Sequence, residues 1–422
     1  MKMILMLSVA AILAGGCAPD KSSVTYTIDD GNVLRPTVAV SSDGRMSAVG
    51  WMREDADGWN VYVSTFEIGE EPGAPVRVNH AAGNASPHDE APAQVAFGPD
   101  GEIYVAWANR IDVEGRRFPA SNLLFSRSID GGKTFSTEKA VNSDYNEPPS
   151  SHTFHNMIVL RDGTIIVSWI DSRARDRHAR EHGSSPSTGT PRATDAHAAM
   201  HGVGATKVAD TPGPQIRIAR SVDNGLSFRE TAVVDDNSCP CCRTALTSGP
   251  GGEVYLGWRH VFENGDRDIV VARSDDGGRT FGPMVRVAED GWNIDACPHA
   301  GPALAVGEDD RLHVAWFTGA QDQPALYHTR SDNRGESFTA RTPIAQGVPM
   351  AYAEMSGGDN QQPRIVYHLP ANHETVFATV QTSRLAGSSA TVGGRASIAS
   401  AKGFVVVANL QDDRILARII RS

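Results

Sequence analysis

Four of the five cysteines lie in two short segments: Cys239, Cys241 and Cys242 in the run CPCC, and Cys297 in DACPHAGP, two residues before His299. Thiols this close can form disulfides, the default in an oxidising compartment. With His299 as a nitrogen ligand they can instead hold a soft metal such as Zn or Cu. Four cysteines allow three pairings, and C-P-C-C matches no common zinc signature, so spacing leaves both readings open. Other ionisable residues recur at one place in a repeated pattern, at or just before a short apolar segment. They are Arg35, then His88, Asp89 and Glu90, then His152 and His155, then Arg243, then Asp295 and His299, and finally Tyr352 and Glu354. If these segments are equivalent strands, their starts converge, and the recurrence marks a candidate site.

The elements that must bring them together are legible as a repeat. A short apolar strand, a turn and a second strand ending in Trp are written five times, ending at Trp51, Trp107, Trp169, Trp258 and Trp316, with a sixth copy that has Tyr367 in the Trp slot. One interval is longer by about 30 residues, which reads as an insertion. A third strand then leads into a turn: SRSIDGGKTF, ARSVDNGLSF, ARSDDGGRTF and TRSDNRGESF. In these turns Asp130, Asp223 and Asp276, and Asn333 in the last, can cap backbone N–H groups while Gly supplies a positive φ. They read as structural residues and not as catalytic carboxylates.

The pattern S-x-D-x-G-x-[ST]-[FW], carried by Ser128, Asp130, Gly132 and Phe135 in its first copy, resembles the Asp box (BNR repeat) of the sialidase, or neuraminidase, superfamily. The resemblance covers nearly all of residues 30–422. It implies an all-β fold, a β-propeller of six blades, or seven if the C-terminal tail forms a blade of its own, with residues 24–29 as a ring-closing strand. In that family a Tyr activated by a Glu replaces the carboxylate nucleophile of other retaining glycosidases, three arginines clamp the substrate carboxylate, and an Asp is acid and base. By resemblance Tyr352 is the candidate nucleophile with Glu354 beside it, and Asp57 the candidate acid and base. Arg35 and Arg243 are the candidate clamp, and Glu90, His155 and His299 the candidate substrate-binding partners. The chain departs from the family: Arg35-Pro36-Thr37 stands for Arg-Ile-Pro, and Cys297-Pro298-His299 stands where the third Arg would be sought.

Residues 1–17, MKMILMLSVAAILAGGC, read as a secretory signal. The end of the segment resembles a bacterial lipobox, with Cys17 as the lipidated residue and Ala14 where Leu is more usual. Residues 18–29 then form a tether with the possible closing strand, and 30–422 the propeller. Within the latter, residues 171–215 are expected to be a flexible insertion, rich in Ser, Thr, Pro and Gly and carrying His178, His182, His197 and His201. The address implied is the cell envelope, by a lipid anchor, with the outer membrane preferred.

Composition agrees with a folded, strand-rich body. Of 422 residues 40% are hydrophobic and 21% charged, and 41 Gly and 24 Pro punctuate the chain. The net charge of −11 argues against a nucleic-acid partner. The function expected is recognition, and on the catalytic reading hydrolysis, of a glycan at the central funnel by an exo-α-sialidase type of chemistry that needs no cofactor. The alternative is a non-catalytic propeller that binds a protein or a soft metal through the CPCC and CPH segments.

Overall fold

The computed structural model describes residues 23–116, 118–182, 211–307, 309–320, 323–358, 361–380, 385–401 and 403–421. The signal segment, Cys17 and most of the 171–215 interval lie outside these residues. Twenty-eight strands, β1 to β28 in chain order, form seven sheets of four among the described residues. Six sheets take four consecutive strands each, and the seventh has the order β1-β28-β27-β26. The protein is a seven-blade β-propeller.

The tail therefore makes a blade of its own, and the N-terminal segment closes it. Strand β1 (Ser23–Asp30) pairs antiparallel with β28 (Arg414–Arg421) along the outer edge of the last blade, so the two ends of the chain lock the ring. Closure of this kind protects what would otherwise be an exposed strand edge.

Burial explains why the middle strands read as continuous apolar runs. Every residue of β7 (Ile103–Ala108) and of β15 (Val254–Val261) is buried, because a blade has a neighbour on each face. Seven apolar clusters follow, one per interface between adjacent blades. Four of the repeated tryptophans direct their indole N–H to a carboxylate: Trp51 to Asp29 at 2.8 Å, Trp169 to Asp171 at 2.8 Å, Trp258 to Asp235 at 2.6 Å and Trp316 to Asp290 at 2.6 Å. Trp107 has no such partner among the described residues.

The four turns after the third strands share one hydrogen-bond scheme. The Asp130 carboxylate accepts from Ser128 Oγ at 2.7 Å, from the Thr134 N–H at 3.0 Å and from Thr134 Oγ1 at 2.6 Å. Asp223 and Asp276 do the same with Ser221 and Ser227, and with Ser274 and Thr280. Asn333 keeps the scheme by reversing one bond: its Nδ2 donates to Ser337 Oγ at 2.9 Å, where the acids accept from a hydroxyl.

The expected insertion is more ordered at its ends than composition suggested. Asp171 ends β11 (Ile165–Asp171), α1 spans Arg173–Glu181, and β12 begins at Gln215. The reason is a buried charge network in which Arg173 pairs with Asp171 at 2.7 Å and Glu230 at 2.7 Å. His178 and His182 stack on α1 at 4.1 Å, while His197 and His201 lie outside the described residues.

Trp316→Phe is expected to cost about 0.5–1.5 kcal/mol beyond the shared packing loss, because the buried Asp290 carboxylate loses the indole N–H while keeping its ion pair with Arg341. Trp107→Phe, which sacrifices no indole hydrogen bond, is expected to lower the thermal midpoint by less. Thermal unfolding of the two variants side by side checks this.

Candidate functional site

The inner strands of the blades are β2 (Thr37–Val40), β6 (Gln94–Phe97), β10 (His152–Val159), β14 (Ala245–Ser248), β18 (Ala303–Val306), β22 (Tyr352–Gly358) and β26 (Ala396–Ala401). Their starts surround one mouth of the axial channel, which is why residues far apart in sequence meet there. Arg35, Glu90, Arg243, His299, Tyr352, His368 and Arg395 line a cavity of about 10 Å³, room for one water molecule. The other mouth, at the strand ends, opens into a cavity of about 1720 Å³.

At the narrow mouth Glu354 is the hub. Its Oε1 accepts from Arg243 at 2.7 Å and pairs with Arg35, so one carboxylate joins the first and fourth blades to the sixth. Burial disfavours the Glu354 carboxylate, but Arg35 and Arg243 more than offset this and hold its pKa below the ordinary glutamate range. Burial likewise lowers Arg35 to about 10, with Glu354 opposing, and Arg395 to about 9; both remain cationic at neutral pH. Arg395 pairs with the buried Glu90, and its guanidinium carbon sits 3.3 Å from the centre of the Tyr352 ring. Three arginines thus converge, from the first, fourth and seventh blades.

Arg395 was missed by sequence reasoning. The third arginine was sought before the fifth blade, whereas it precedes β26, in a tail that carries neither the Trp nor the S-x-D turn. The signal available was position alone: Arg395 immediately precedes an apolar strand, as Arg35 and Arg243 nearly do.

Tyr352 lines the cavity, and burial first, with Cys242 and Asp89 adding to it, pushes its phenol up to about 12. Glu354 is two residues along the same strand and so on the same face, but its bonds go to the arginines. Asp89 is exposed at this mouth, and its backbone carbonyl accepts from Arg35 at 3.5 Å. Its charge acts on Arg35, Tyr352 and Arg395 alike.

Two expected residues are placed elsewhere. Asp57 sits in the two-residue turn between β3 (Met46–Asp55) and β4 (Gly58–Glu67), where it accepts from Asn60 at 2.8 Å and pairs with Arg77 at 3.2 Å. So short a turn keeps it in its own hairpin, and it does not line the cavity. His155 is fully buried and donates from Nε2 to the Ala106 carbonyl at 3.2 Å; burial lowers its pKa to about 4, so it is a neutral core residue. An irregularity in β10 between Thr153 and Asn156, with Phe154 at φ 55°, places the Phe154 ring against His88 and His299 at centroid distances of 5.2 and 6.2 Å.

Among the described residues Cys239, Cys241, Cys242 and Cys297 are free thiols. Cys239 Sγ lies 3.8 Å from Cys241 Sγ and 3.5 Å from Cys242 Sγ, well beyond a disulfide bond. All three are buried between the third and fourth blades, and Cys241 also lies near Cys297 and His299. This cluster could hold a metal. Hydrogen bonds from the other two thiols, and then the charges of Arg267 and Arg259, make Cys239 the one that ionises first.

No protein-family model matches the chain, and no curated protein matches it in sequence. Solved structures do. A polysaccharide lyase of family PL25, an ulvan lyase, is similar with a TM-score of 0.56 at 11% identity, over 94% of this chain and 95% of that one. The Hadza microbial sialidase Hz136 is similar with a TM-score of 0.52 at 13% identity, over 87% and 74%. The α-L-arabinofuranosidase Arb93A of Fusarium graminearum is similar with a TM-score of 0.50 at 14% identity, over 78% and 92%. These likenesses establish the fold. It is the propeller on which a sialidase, an arabinofuranosidase and a lyase are also built, and fold alone assigns no chemistry.

Glu354→Gln is expected to destabilise the protein by about 3–5 kcal/mol at neutral pH, since it leaves two buried guanidiniums without a counter-charge. The folded pKa is lowered, so the carboxylate's contribution is complete above the ordinary value near 4.5 and is lost as pH falls through the lower folded value. Denaturant titrations should show the gap between wild type and Glu354→Gln closing in acid; a gap that is constant with pH would contradict the pairing.

Proposed function

We propose that the narrow mouth recognises the carboxylate of an anionic sugar and hydrolyses its glycosidic bond, as an exo-α-sialidase type of glycoside hydrolase. The observation that carries this reading is the convergence of Arg35, Arg243 and Arg395 around Tyr352. Three guanidiniums face two carboxylates, Glu354 and Glu90, and the positive charge left over suits capture of an incoming carboxylate. The similarity to a sialidase and to other glycan-active propellers supports a sugar as ligand.

The mechanism follows from competition for the arginines. The substrate carboxylate takes Arg35 and Arg243 from Glu354, which is then available to accept the Tyr352 proton from two residues away on the same strand face. The phenolate oxygen attacks the anomeric carbon, and the exposed Asp89, replacing Asp57 in this role, protonates the departing glycosidic oxygen. Water later releases the sugar from Tyr352, with Asp89 accepting the water proton and Glu354 returning its proton to the departing phenolate. A cavity of about 10 Å³ admits no sugar until these ion pairs part, so binding and activation of the nucleophile are one event.

The setting proposed is the bacterial cell envelope, the chain being exported and held by a lipid on Cys17. A second reading keeps the propeller non-catalytic, its mouth holding a protein partner or a soft metal through the CPCC and CPH segments; the close approach of the thiols favours it.

Hydrolysis of a fluorogenic α-sialoside tests the first reading. Tyr352→Phe is expected to abolish turnover and Asp89→Asn to lower kcat by roughly a hundredfold or more. Arg395→Ala is expected to weaken substrate binding about tenfold or more. Turnover unaffected by Tyr352→Phe, or no turnover by wild type, would overturn the hydrolase reading.

A further inference from the structure

We infer that Cys239, Cys241 and Cys242 form a three-sulfur site for a Cu(I) ion, buried between the third and fourth blades. The inference develops the soft-metal reading of the CPCC segment and is independent of the glycan reading.

Three observations carry it. The first is spacing. Sulfurs held about 2.3 Å from a common ion stand about 3.8–4.0 Å apart in tetrahedral or trigonal geometry. The separations from Cys239 Sγ are 3.8 and 3.5 Å, and all three sulfurs lie within 4.8 Å of one another. Three thiols also cannot pair among themselves without leaving one over. The second is the donor set: the group contains sulfur alone, with no carboxylate, which selects a soft d¹⁰ ion.

The third is charge. Arg259 and Arg267 are almost completely buried in the fourth blade with their guanidiniums directed to residues 296–317 of the fifth, neither has a carboxylate partner among the described residues, and their charges act on the Cys239 thiol. Arg259 donates to the carbonyls of Arg267, Ala300 and Phe317, and Arg267 to that of Ala296. The Nε of Arg259 has no hydrogen-bond partner among the described residues. Arg259 also stacks on Trp292, with its guanidinium carbon 4.8 Å from the ring centre, and two buried cations without a carboxylate favour an anionic group nearby. Three thiolates binding one Cu(I) carry two negative charges, the number the guanidiniums offset. A Zn²⁺ ion on the same sulfurs would leave one, and it would also need a fourth ligand.

The same two arginines fix the neighbouring segment, because Ala296 and Ala300 flank Cys297 and His299. Those two residues are half-buried, and each lies within 4.8 Å of the Cys241 ligand atom, forming a route for the ion between the funnel and the three-sulfur site.

The test is titration of the full chain, purified reduced and without oxygen, with Cu(I) held by the chelator bicinchoninate. One Cu(I) per chain is expected to leave the chelator, and X-ray absorption of the wild-type complex is expected to show three sulfurs and no nitrogen around copper. Cys239→Ser and Cys242→Ser, with folding checked by circular dichroism, are expected to weaken binding at least a hundredfold. Cys297→Ser is expected to keep the affinity within a few-fold and to slow uptake. Copper that stays on the chelator would overturn the inference. So would a four-coordinate site in which Cys297→Ser costs tenfold or more, or preferential uptake of Zn²⁺. None of these readouts depends on sialoside hydrolysis, so either reading can fail without the other.

Discussion

The rest of the site depends on how charge is neutralised where seven strand starts meet on one axis. A propeller delivers one residue from every blade to the same small volume, and three of those residues are arginines. Without counter-charges the ring would repel itself open. Glu354 meets that constraint by accepting from Arg35 and Arg243 at once, and Glu90 meets it for Arg395. The ion pairs consequently tie the first, second, fourth, sixth and seventh blades together at the axis. The apolar clusters between blades hold the ring from outside, and the acid–arginine pairs hold it from within. Site and fold are therefore one arrangement: the charges that would grip a ligand are those that close the mouth in its absence.

The two charged systems near the axis differ in an informative way. At the funnel every arginine has a carboxylate, so an anionic ligand must compete for its place, which favours reversible capture. Arg259 and Arg267, directed from the fourth blade toward the fifth, have none; they donate to backbone carbonyls, and their charges act on the Cys239 thiol. The first system is complete without a ligand, while the second holds two buried guanidiniums with no carboxylate among the described residues. Tyr352 stands between them, and its phenol feels both Cys242 and Asp89.

Much of the architecture was legible because blades repeat. The Trp endings and the S-x-D turns follow from packing and hydrogen-bond requirements that every blade shares, and Asn333 satisfies the same turn by reversing one bond. The last blade escaped a firm count because it is assembled from both ends of the chain and lacks those marks, and Arg395 went unseen with it. Two other residues were misplaced for local reasons that no spacing reveals. A two-residue turn holds Asp57 within its hairpin, and the irregularity at Phe154 turns His155 into the core. The convergence of Arg35, Arg243, Tyr352 and Glu354 was readable, but the partnership of Glu354 with arginines and not with the phenol required three dimensions. The chemistry of the thiols was readable as a pair of alternatives, disulfide or soft metal, while the gathering of three sulfurs within 4.8 Å of one another required three dimensions.

The most direct test of the central claim is a crystal structure of the protein soaked with N-acetylneuraminic acid. The expected result is the sugar carboxylate on Arg35, Arg243 and Arg395, with Glu354 displaced from both Arg35 and Arg243 toward Tyr352. A sugar bound in the wide opposite mouth, or an undisturbed Glu354 with the arginines unliganded at saturating sugar, would contradict it.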